Sequence, residues 1–467
     1  MTSITDLFFD LRVLAIFAVL GAVLLSTHRY LYPGIIYVSK KKGLMDVPDQ
    51  RKMHKDQVPT LGGLGVFIVF SICIIIFGLV ANFVQPDLLK LLSLLGSAII
   101  LLFLGIKDDL MTMSPKKKLL GQLLAAAIVV VLTDVRIVSC YGLLGIGELP
   151  YLVSVGFSMF VFVLVINALN LIDGIDGLAG SIAVISSGAF GLLFLMNGEY
   201  MLTLVSAVLV GSLLGFLKYN FSSTEKIFMG DCGSMLIGFL LAYQGISLLS
   251  LSQILAAPKA ISNAPILLLA ILSYPLFDTL RIFAVRIKQK RSPFSPDSNH
   301  IHHRMLKLGL NHKQSTSVLV ACNLFVIILA LMVRDMNLNL QLLIVVSGGC
   351  LLYLVPFMVT LEKTADLKKR NGKTETNLEK MIHEIEVVDF LDLSLEPITI
   401  SNTSVKLKRA PVYLSSTIDP NLIVFENGQV QKISTKAGKE LLILGKSPKS
   451  RTTVKKKSEL DQAVSKA

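Results

Sequence analysis

The stretch Asn167-Ala-Leu-Asn-Leu-Ile-Asp-Gly-Ile-Asp-Gly-Leu-Ala-Gly180 lies between two apolar runs, 151–165 and 178–196, of transmembrane character. Two amides and two carboxylates recur in it at every third position: Asn167, Asn170, Asp173 and Asp176. On a helix, successive members of such a series remain neighbours along one stripe. Polar groups at the end of a membrane helix are costly unless they bind a ligand or each other. Taken alone, the stretch fits either a ligand site or a polar turn that caps two spans.

The composition is that of a polytopic membrane protein. Of the 467 residues, 53% are hydrophobic and 16% are charged. The mean hydropathy of +0.68 is too high for a soluble globular chain. The five cysteines form no CxxC pair, so they indicate neither a disulfide framework nor a zinc site. The net charge of +13 could suggest nucleic acid, but in a membrane protein the placement of charge is more informative, and we expect no nucleic-acid partner.

Apolar stretches predict an all-α membrane domain of about eleven transmembrane helices. They lie at 7–27, 62–84, 88–106, 119–133, 151–172, 178–196, 200–217, 233–257, 264–283, 315–333 and 339–361. No basic segment precedes the first run, which favours a retained span over a cleaved signal peptide.

Lysine and arginine are distributed very unevenly between alternate loops. One set of loops is strongly basic: 28–61, 107–118, 167–177, 218–232 and 284–314. The other set holds little more than Arg136, Lys259 and Arg334. By the positive-inside rule the basic loops are cytoplasmic, the N-terminus is outside and the chain is embedded in a lipid bilayer.

The character of the chain changes after residue 361. Residues 1–361 are predicted to form the membrane domain, and 362–447 a small cytosolic module of unknown role. Short apolar alternations around Asn427-Gly428 favour a β-hairpin there. The Lys- and Ser-rich segment 448–467 is predicted to be a disordered basic tail.

Polar clusters in the membrane domain fall on the predicted cytoplasmic side. Besides the Asn/Asp stretch they are Asp108-Asp109, the lysines 116–118, Phe228-Met-Gly-Asp231-Cys-Gly-Ser234, Asp278 and Asn299-His-Ile-His-His-Arg304. Independent structural accidents would divide between the two membrane surfaces. We therefore expect one active site that faces the cytoplasm.

The two acidic clusters each have a catalytic and a structural interpretation. Of Asp108 and Asp109, one could serve as base or nucleophile while the other holds a cation, or the pair could be a solvated helix end. Asp231 stands at a predicted helix start, where backbone N–H groups favour phosphate and a carboxylate supplies a ligand for Mg²⁺. It could equally be an ordinary N-cap.

The histidine cluster favours an anionic ligand over zinc. No matching cysteine or fourth histidine occurs at the usual spacing, and Arg304 within the cluster disfavours a bound cation. Imidazoles with an arginine suit a sugar diphosphate as hydrogen-bond donors. The alternative is a basic loop that touches acidic lipid headgroups. Neither GxGxxG nor GxxxxGK[ST] occurs in a strand–helix setting.

These motifs, together with Asp46-Val-Pro48, Arg51-Lys-Met-His54 and Gly62-Gly63, resemble in their order those of the polyprenyl-phosphate N-acetylhexosamine-1-phosphate transferases. The resemblance covers residues 1 to about 361. It implies an integral membrane enzyme that uses Mg²⁺, with Mn²⁺ as a substitute. Its His-x-His-His-Arg form is similar to the branch that transfers N-acetylglucosamine-1-phosphate from UDP-GlcNAc to undecaprenyl phosphate and so starts O-antigen or another cell-surface polysaccharide. UDP-MurNAc-pentapeptide or another UDP-N-acetylhexosamine is the alternative donor.

Residue roles follow from this resemblance position by position. It implies Asp231 as the main Mg²⁺ ligand with Asp173 close to the metal, and Asp108 as the base that deprotonates or orients the carrier phosphate, with Asp109 beside it. The substrate-binding residues it implies are Lys116, Asn170, Asp176, Phe228, His300, His302, His303 and Arg304. Asn170 and Asp176 would line the nucleotide site, and Phe228 would stack on uracil.

Two other classes of function are less consistent with the sequence. A lipid-linked sugar transporter would be expected to place charges near the bilayer midplane in broken helices, whereas here they lie at one surface. A scaffold that acts through its tail leaves the loop motifs unexplained. A homodimer is compatible with the sequence, which does not determine the oligomeric state.

Overall fold

The computed structural model describes residues 11–46, 57–80, 85–111, 113–254, 261–292, 299–357, 423–426, 429–434 and 440–442. Pro48, Arg51, His54 and the predicted tail at 448–467 lie outside the described residues. The chain divides into two compact units, Met1–Thr360 and Leu361–Ala467.

The first unit is built almost entirely from helices. They are α1 (Leu11–Ser26), α2 (Tyr32–Lys42), α3 (Gly62–Val80), α4 (Gln85–Met111), α5 (Pro115–Thr133), α6 (Tyr151–Ile172), α7 (Leu178–Met196), α8 (Tyr200–Asn220), α9 (Gly230–Ile254), α10 (Ala264–Ile271), α11 (Ser273–Lys288), α12 (Ile301–Lys307), α13 (His312–Met332) and α14 (Leu338–Phe357). A π-helical turn, Thr27–Leu31, joins α1 to α2. Two short antiparallel pairs complete the unit: β1 (Met45–Asp46) with β2 (Val58–Pro59), and β3 (Ser139–Leu143) with β4 (Ile146–Glu148).

The helices confirm the prediction of an all-α polytopic membrane domain. Within the described residues, nine helices are long and apolar enough to cross a membrane, and the bent pair α10–α11 would make a tenth. The predicted fourth span corresponds to α5, which carries three lysines, 116–118, in its first turn. These lysines lower its apolar character, so the total of eleven stays a prediction.

Helix α9 is the centre of the bundle. Of its most apolar segment, 89% is buried inside the protein, more than in any other candidate span of the described residues. It packs against α3, α4, α6, α7 and α10. Gly63 and Gly105 allow the closest approaches, because a Cβ at either position would overlap the backbone of Gly233 or Cys232. The N-terminus of α9, which carries Asp231, is therefore held against α3 and α4.

The loop before α9 is fixed by backbone hydrogen bonds to the segment before α3. Phe228 N donates to Pro59 O at 2.8 Å, and Gly62 N donates to Phe228 O at 2.9 Å. Gly63 N donates to Met229 O at 2.9 Å. The start of α9 is thus positioned by residues more than a hundred positions away in the chain.

Helices α10 and α11 meet at an angle of 75°. The carbonyl of Ile271 at the break accepts hydrogen bonds from Ser186 Oγ at 3.0 Å and from Asn323 Nδ2 at 3.2 Å. Tyr274 N donates to Asn323 Oδ1 at 3.1 Å. Backbone groups freed by the break therefore have partners within the bundle, as an apolar surrounding requires.

The second unit contains three strands in its described residues: β5 (Ile423–Glu426), β6 (Gln429–Ser434) and β7 (Glu440–Leu442). They form one antiparallel sheet in the order β5–β6–β7. Glu426 pairs with Gln429 on either side of Asn427-Gly428, where the sequence predicts a hairpin. The cytosolic location and the role of this module stay predictions.

Candidate active site

A cavity of about 400 Å³ lies at the ends of several helices. Helices α4, α5, α6, α11 and α12 and the residue before α12 all contribute to its wall. The polar residues that line it are Asp108, Lys118, Gln122, Asn167, Asn170, Asp173, Arg286, His300, His302 and His303. The cavity thus combines carboxylates, amides, cations and imidazoles from segments that are far apart in sequence.

Lys118 connects two carboxylates at this cavity. Its ammonium donates to Asp108 Oδ2 at 2.8 Å and to Asp231 Oδ2 at 3.1 Å. Met113 N donates to Asp108 Oδ1 at 2.5 Å. The side chain of Asp231 is 32% exposed and that of Asp108 only 10%, so Asp231 is the more accessible to a ligand.

The Asn/Asp stretch reaches the same cluster through its amides. Asn170 Nδ2 donates to Asp231 Oδ1 and, at 2.8 Å, to Ser234 Oγ. Asn167 Nδ2 donates to Gln122 Oε1 at 2.8 Å. The first half of the stretch, at the end of α6, therefore joins α5 and the start of α9.

Asp109 caps the central helix. Its Oδ1 accepts from Asp231 N at 2.7 Å and its Oδ2 accepts from Cys232 N at 3.2 Å. These are N–H groups of the first turn of α9, which lack partners within the helix. Gly230 precedes them with φ of 73°, a left-handed conformation that favours glycine. Asp109 thereby fixes the backbone of Asp231.

Asp173 and Asp176 are three residues apart but have opposite electrostatic surroundings. Burial raises the pKa of Asp173 well above its usual value, and the nearby carboxylates of Asp231, Asp109 and Asp176 raise it further. Like charges that face each other in this way favour a cation or a proton between them. Among the described residues, Asp173 is thus the carboxylate of the stretch without a compensating positive charge.

Asp176 is already neutralised by its neighbours. Its Oδ2 lies 2.6 Å from Lys226 Nζ and 2.9 Å from His312 Nδ1, and its carbonyl accepts from Thr316 Oγ1 at 3.0 Å. Although burial opposes it, hydrogen bonds from His312 and Lys226 lower the pKa of Asp176 below its usual value. Lys226 Nζ also lies 5.4 Å from the centroid of the Phe228 ring. We call Asp176, Lys226, His312 and Phe228 the Asp176 cluster.

The three histidines before and within α12 form a group whose rings contact one another. The rings of His300 and His302 are 5.4 Å apart and nearly parallel, and those of His302 and His303 are 4.3 Å apart. His302 is buried against Gly174, where a Cβ would overlap its ring. Burial, and next the charge of His303, lower the pKa of His302 to about 3, so this imidazole is neutral at pH 7.

Arg304 lies beside the cavity and not among the residues that line it. Its Nε donates to Asn299 Oδ1 at 2.9 Å, and its guanidinium is 5.3 Å from the centroid of Phe357. Arg286, from α11, lines the cavity and is only 1% exposed. The guanidinium in the cavity wall is therefore that of Arg286.

Comparison with known proteins finds related sequences. Residues 91–249 match the model of glycosyl transferase family 4. A probable undecaprenyl-phosphate N-acetylglucosaminyl 1-phosphate transferase of Bacillus subtilis is 32% identical over 369 residues, which are 77% of this chain and 95% of that protein. Undecaprenyl-phosphate alpha-N-acetylglucosaminyl 1-phosphate transferases of Escherichia coli K12 and Salmonella typhi are 32% and 33% identical over 283 residues, 60% of this chain and 73% of each relative.

The chain belongs to glycosyl transferase family 4. This confirms the resemblance drawn from the motifs. The segment that matches the family model includes Asp108, Lys118, Asn170, Asp173 and Asp231 and ends before the histidine group. The segment that matches the family model therefore supplies both carboxylates of the cavity wall, Asp108 and Asp173.

The predicted site residues of this glycosyl transferase family 4 protein form three groups according to their location relative to the cavity. Those that line the cavity are Asp108, Asn170, Asp173, His300, His302 and His303. Asp109 and Asp231 adjoin it at the start of α9. Those that are not part of the cavity wall are Lys116, Asp176, Phe228 and Arg304. Lys116 is exposed, and its contact with a phosphate stays a prediction.

Sequence reasoning counted the lysine triplet and Asp278 among the polar clusters but gave Lys118 and Asp278 no role. It missed Gln122 and Arg286, which both line the cavity. Lys118 and Gln122 are one helical turn apart on α5 and therefore share a face of that helix. This spacing could have distinguished Lys118 from the two other lysines of the triplet. Asp278 and Arg286 lie on α11, whose orientation depends on the 75° break before it. No local pattern indicates that bend.

The donor set is compatible with a hard divalent cation. Among the described residues, no group of three His, Cys, Asp or Glu side chains is arranged to hold a metal. Mg²⁺ usually takes only one or two protein carboxylates and completes its shell with water and substrate phosphates. Asp231, accessible beside the cavity, and Asp173, with its uncompensated charge, match that requirement.

Proposed function

We propose that this protein transfers N-acetylglucosamine-1-phosphate from UDP-GlcNAc to undecaprenyl phosphate, with release of UMP. The observation that carries the proposal is the bridge from Lys118 to Asp108 and Asp231 beside the cavity. The relatives described as transferases of this kind support the choice of sugar and carrier. A cavity with both signs of charge suits a reaction in which two phosphate-bearing substrates must meet.

In the proposed reaction, an oxygen of the carrier phosphate forms a bond to the phosphorus that bears the sugar. The bond from that phosphorus to the bridging oxygen breaks, and the electron pair leaves with UMP. Asp108, paired with Lys118, would deprotonate or orient the carrier phosphate, and Lys118 would offset repulsion between the two anions. Direct attack by the carrier phosphate needs no covalent enzyme intermediate.

Asp231 and Asp173 would hold Mg²⁺, or Mn²⁺ in its place. The bound ion would neutralise charge that develops on the diphosphate oxygens. Asp109 would act through its hydrogen bonds to the start of α9, which orient Asp231. Asp109 is thus proposed as a positioning residue beside the catalytic carboxylates.

The donor substrate would extend from the histidine group towards the Asp176 cluster. His300, His302, His303 and Arg286 would meet the sugar and diphosphate, since all four line the cavity. Phe228 would flank the uridine, and Asp176 would hold Lys226, their shared neighbour, in place behind it. Arg304 would support this wall from behind through Asn299.

The site is proposed to face the cytoplasm of a bacterial inner membrane. Support comes from the basic loops on that side of the sequence and from the bacterial relatives. UDP-sugars would then reach the cavity from the cytosol, and undecaprenyl phosphate from the bilayer.

The test is transfer by the purified full-length protein in vesicles that contain undecaprenyl phosphate. UDP-GlcNAc, UDP-GalNAc, UDP-glucose and UDP-MurNAc-pentapeptide are compared, with Mg²⁺ and with EDTA. We expect a lipid-diphosphate-sugar and equimolar UMP from UDP-GlcNAc with Mg²⁺ alone. Faster transfer from another donor would overturn the choice of sugar, and transfer that ignores EDTA would overturn the role of the cation. Sugar-lipid movement across the vesicle without UMP release would favour a transporter.

A further inference from the structure

A fully buried carboxylate stands behind the histidine group. Asp278, on α11, has no solvent exposure, and its partners come from its own helix and from the start of α12. Its Oδ2 lies 2.8 Å from His300 Nδ1, and its Oδ1 accepts from Arg281 at 2.9 Å and from Ile301 N at 3.2 Å. Burial of a charge is costly, and these partners compensate for it.

The contacts of Asp278 fix the side chain and the backbone of the histidine group together. Ile301 N is the first N–H of α12, and the side chain of His300, at the N-cap position, does not cap the helix. Asp278 supplies that cap from another helix. The same carboxylate therefore sets both where α12 begins and how the His300 ring is turned.

An ionised carboxylate only accepts hydrogen bonds, so its contact with His300 Nδ1 places a proton on that nitrogen. The other ring nitrogen, Nε2, is left for a ligand, and His300 lines the cavity. A carboxylate behind an imidazole fixes its tautomer and orientation in this way. His302 contrasts with it, because neither of its ring nitrogens has a hydrogen-bond partner among the described residues.

We propose that Asp278 is a positioning residue of the transferase, which orients His300 and fixes its tautomer for contact with the donor diphosphate. This inference rests on the proposed function. Asp278 itself does not line the cavity, so its effect is transmitted through His300. A purely structural role, as a link between α11 and α12, is the alternative.

A double-mutant cycle separates the two roles. The variants are Asp278→Asn, His300→Gln and their combination, with kcat and KM measured for each substrate. We expect Asp278→Asn to lower kcat/KM for UDP-GlcNAc ~30-fold in the wild-type background. Losses of this size are found when the hydrogen-bond partner of a metal-binding histidine is removed. In the His300→Gln background the same change should cost less than ~3-fold, because the imidazole it orients is gone. KM for undecaprenyl phosphate should not move.

Arg281→Gln is the matched control. Arg281 contacts the same carboxylate and links α11 to Asn299 O at 2.6 Å, but it does not contact His300 in the described hydrogen bonds. We expect less than a ~5-fold change, equal in both backgrounds. Equal losses from Asp278→Asn in both backgrounds, or a parallel rise of KM for both substrates, would overturn the proposal.

Two further measurements keep the result decisive. If Asp278→Asn yields no folded protein by size exclusion in detergent, Asp278→Glu, which retains the charge, is taken through the same cycle and must show the same coupling to His300. The cycle is also read as binding of UDP-GlcNAc, from the thermal shift that the nucleotide sugar produces. If the effects of the two substitutions on UDP-GlcNAc binding are additive, Asp278 does not act through His300 and the inference fails. If the wild type transfers no sugar phosphate, the proposed function fails instead.

Discussion

Asp173 and Asp176 come from the same short stretch, yet the structure gives them opposite surroundings. Asp173 faces the cavity and other carboxylates, which with burial raise its pKa. Asp176 is paired with Lys226 and His312, which lower its pKa, and it lies outside the cavity wall. A carboxylate without compensation is suited to a ligand, whereas a compensated one is suited to holding the protein together. Residue type and spacing alone could not separate these two roles.

The largest effect is expected where the two proposed Mg²⁺ ligands lose their charge. Asp231→Asn and Asp173→Asn should each lower kcat ~10³-fold, because the proposed Mg²⁺ would lose a charged ligand. Both variants should also lose the rise in melting temperature that Mg²⁺ gives the wild type. Asp335→Asn is the control for insertion and yield, since the side chain of Asp335 is 89% exposed. Near-normal turnover by either cavity variant would remove that residue from the chemistry.

A second comparison uses the lysine triplet. Lys118→Gln should lower kcat ~100-fold, because two carboxylates then lose the cation between them. Lys116→Gln, two positions earlier on the same helix and exposed, should change kcat less than ~3-fold. Turnover of both variants is measured at saturating UDP-GlcNAc and Mg²⁺. The reverse order would restore Lys116 as the phosphate contact expected from the sequence.

The Asp176 cluster should give the smallest effect on turnover and a measurable effect on stability. Asp176→Asn should lower kcat only ~5-fold while reducing the free energy of unfolding by about 1–2 kcal/mol, because it loses a partly buried ion pair. Combined with His312→Gln, the stability losses should be less than additive, since the two residues share one contact. Thermal melts in detergent measure the stability of the single and double variants.

The stability contribution of Asp176 should also depend on pH in one direction. Because its pKa is lowered in the folded state, the contribution is complete above the unfolded value, about 4, and is lost as the pH falls through the folded value. The difference in melting temperature between the wild type and Asp176→Asn should therefore be constant down to about pH 5 and shrink below it. A ~100-fold loss of turnover with unchanged melting would instead place Asp176 in the active site.

Much of the site was predictable because its members carry charge where the chain is otherwise apolar. Asp108, Asp173, Asp231 and the histidines stand out against long hydrophobic runs, and the uneven loop charge assigns them to one side. The capping role of Asp109 was not predictable, because its partners are the N–H groups of a helix 122 positions away. Arg304 was predicted as a site residue because it adjoins the histidines in sequence, whereas no motif singles out Arg286.

The sequence by itself determined that this is a helical membrane protein and that it resembles the transferases of the family to which it belongs. It also predicted that the polar motifs gather at one surface. Those properties depend on hydropathy, loop charge and local spacing, which follow from the order of residues alone. Only the tertiary structure decided which charges compensate one another. Lys118 meets Asp231, Asp278 meets His300, and Lys226 meets Asp176 because helix crossings, close glycine contacts and the 75° break bring distant residues together. Charge compensation depends on distance in space, so Asp173 and Asp176 acquire different roles although they are three residues apart.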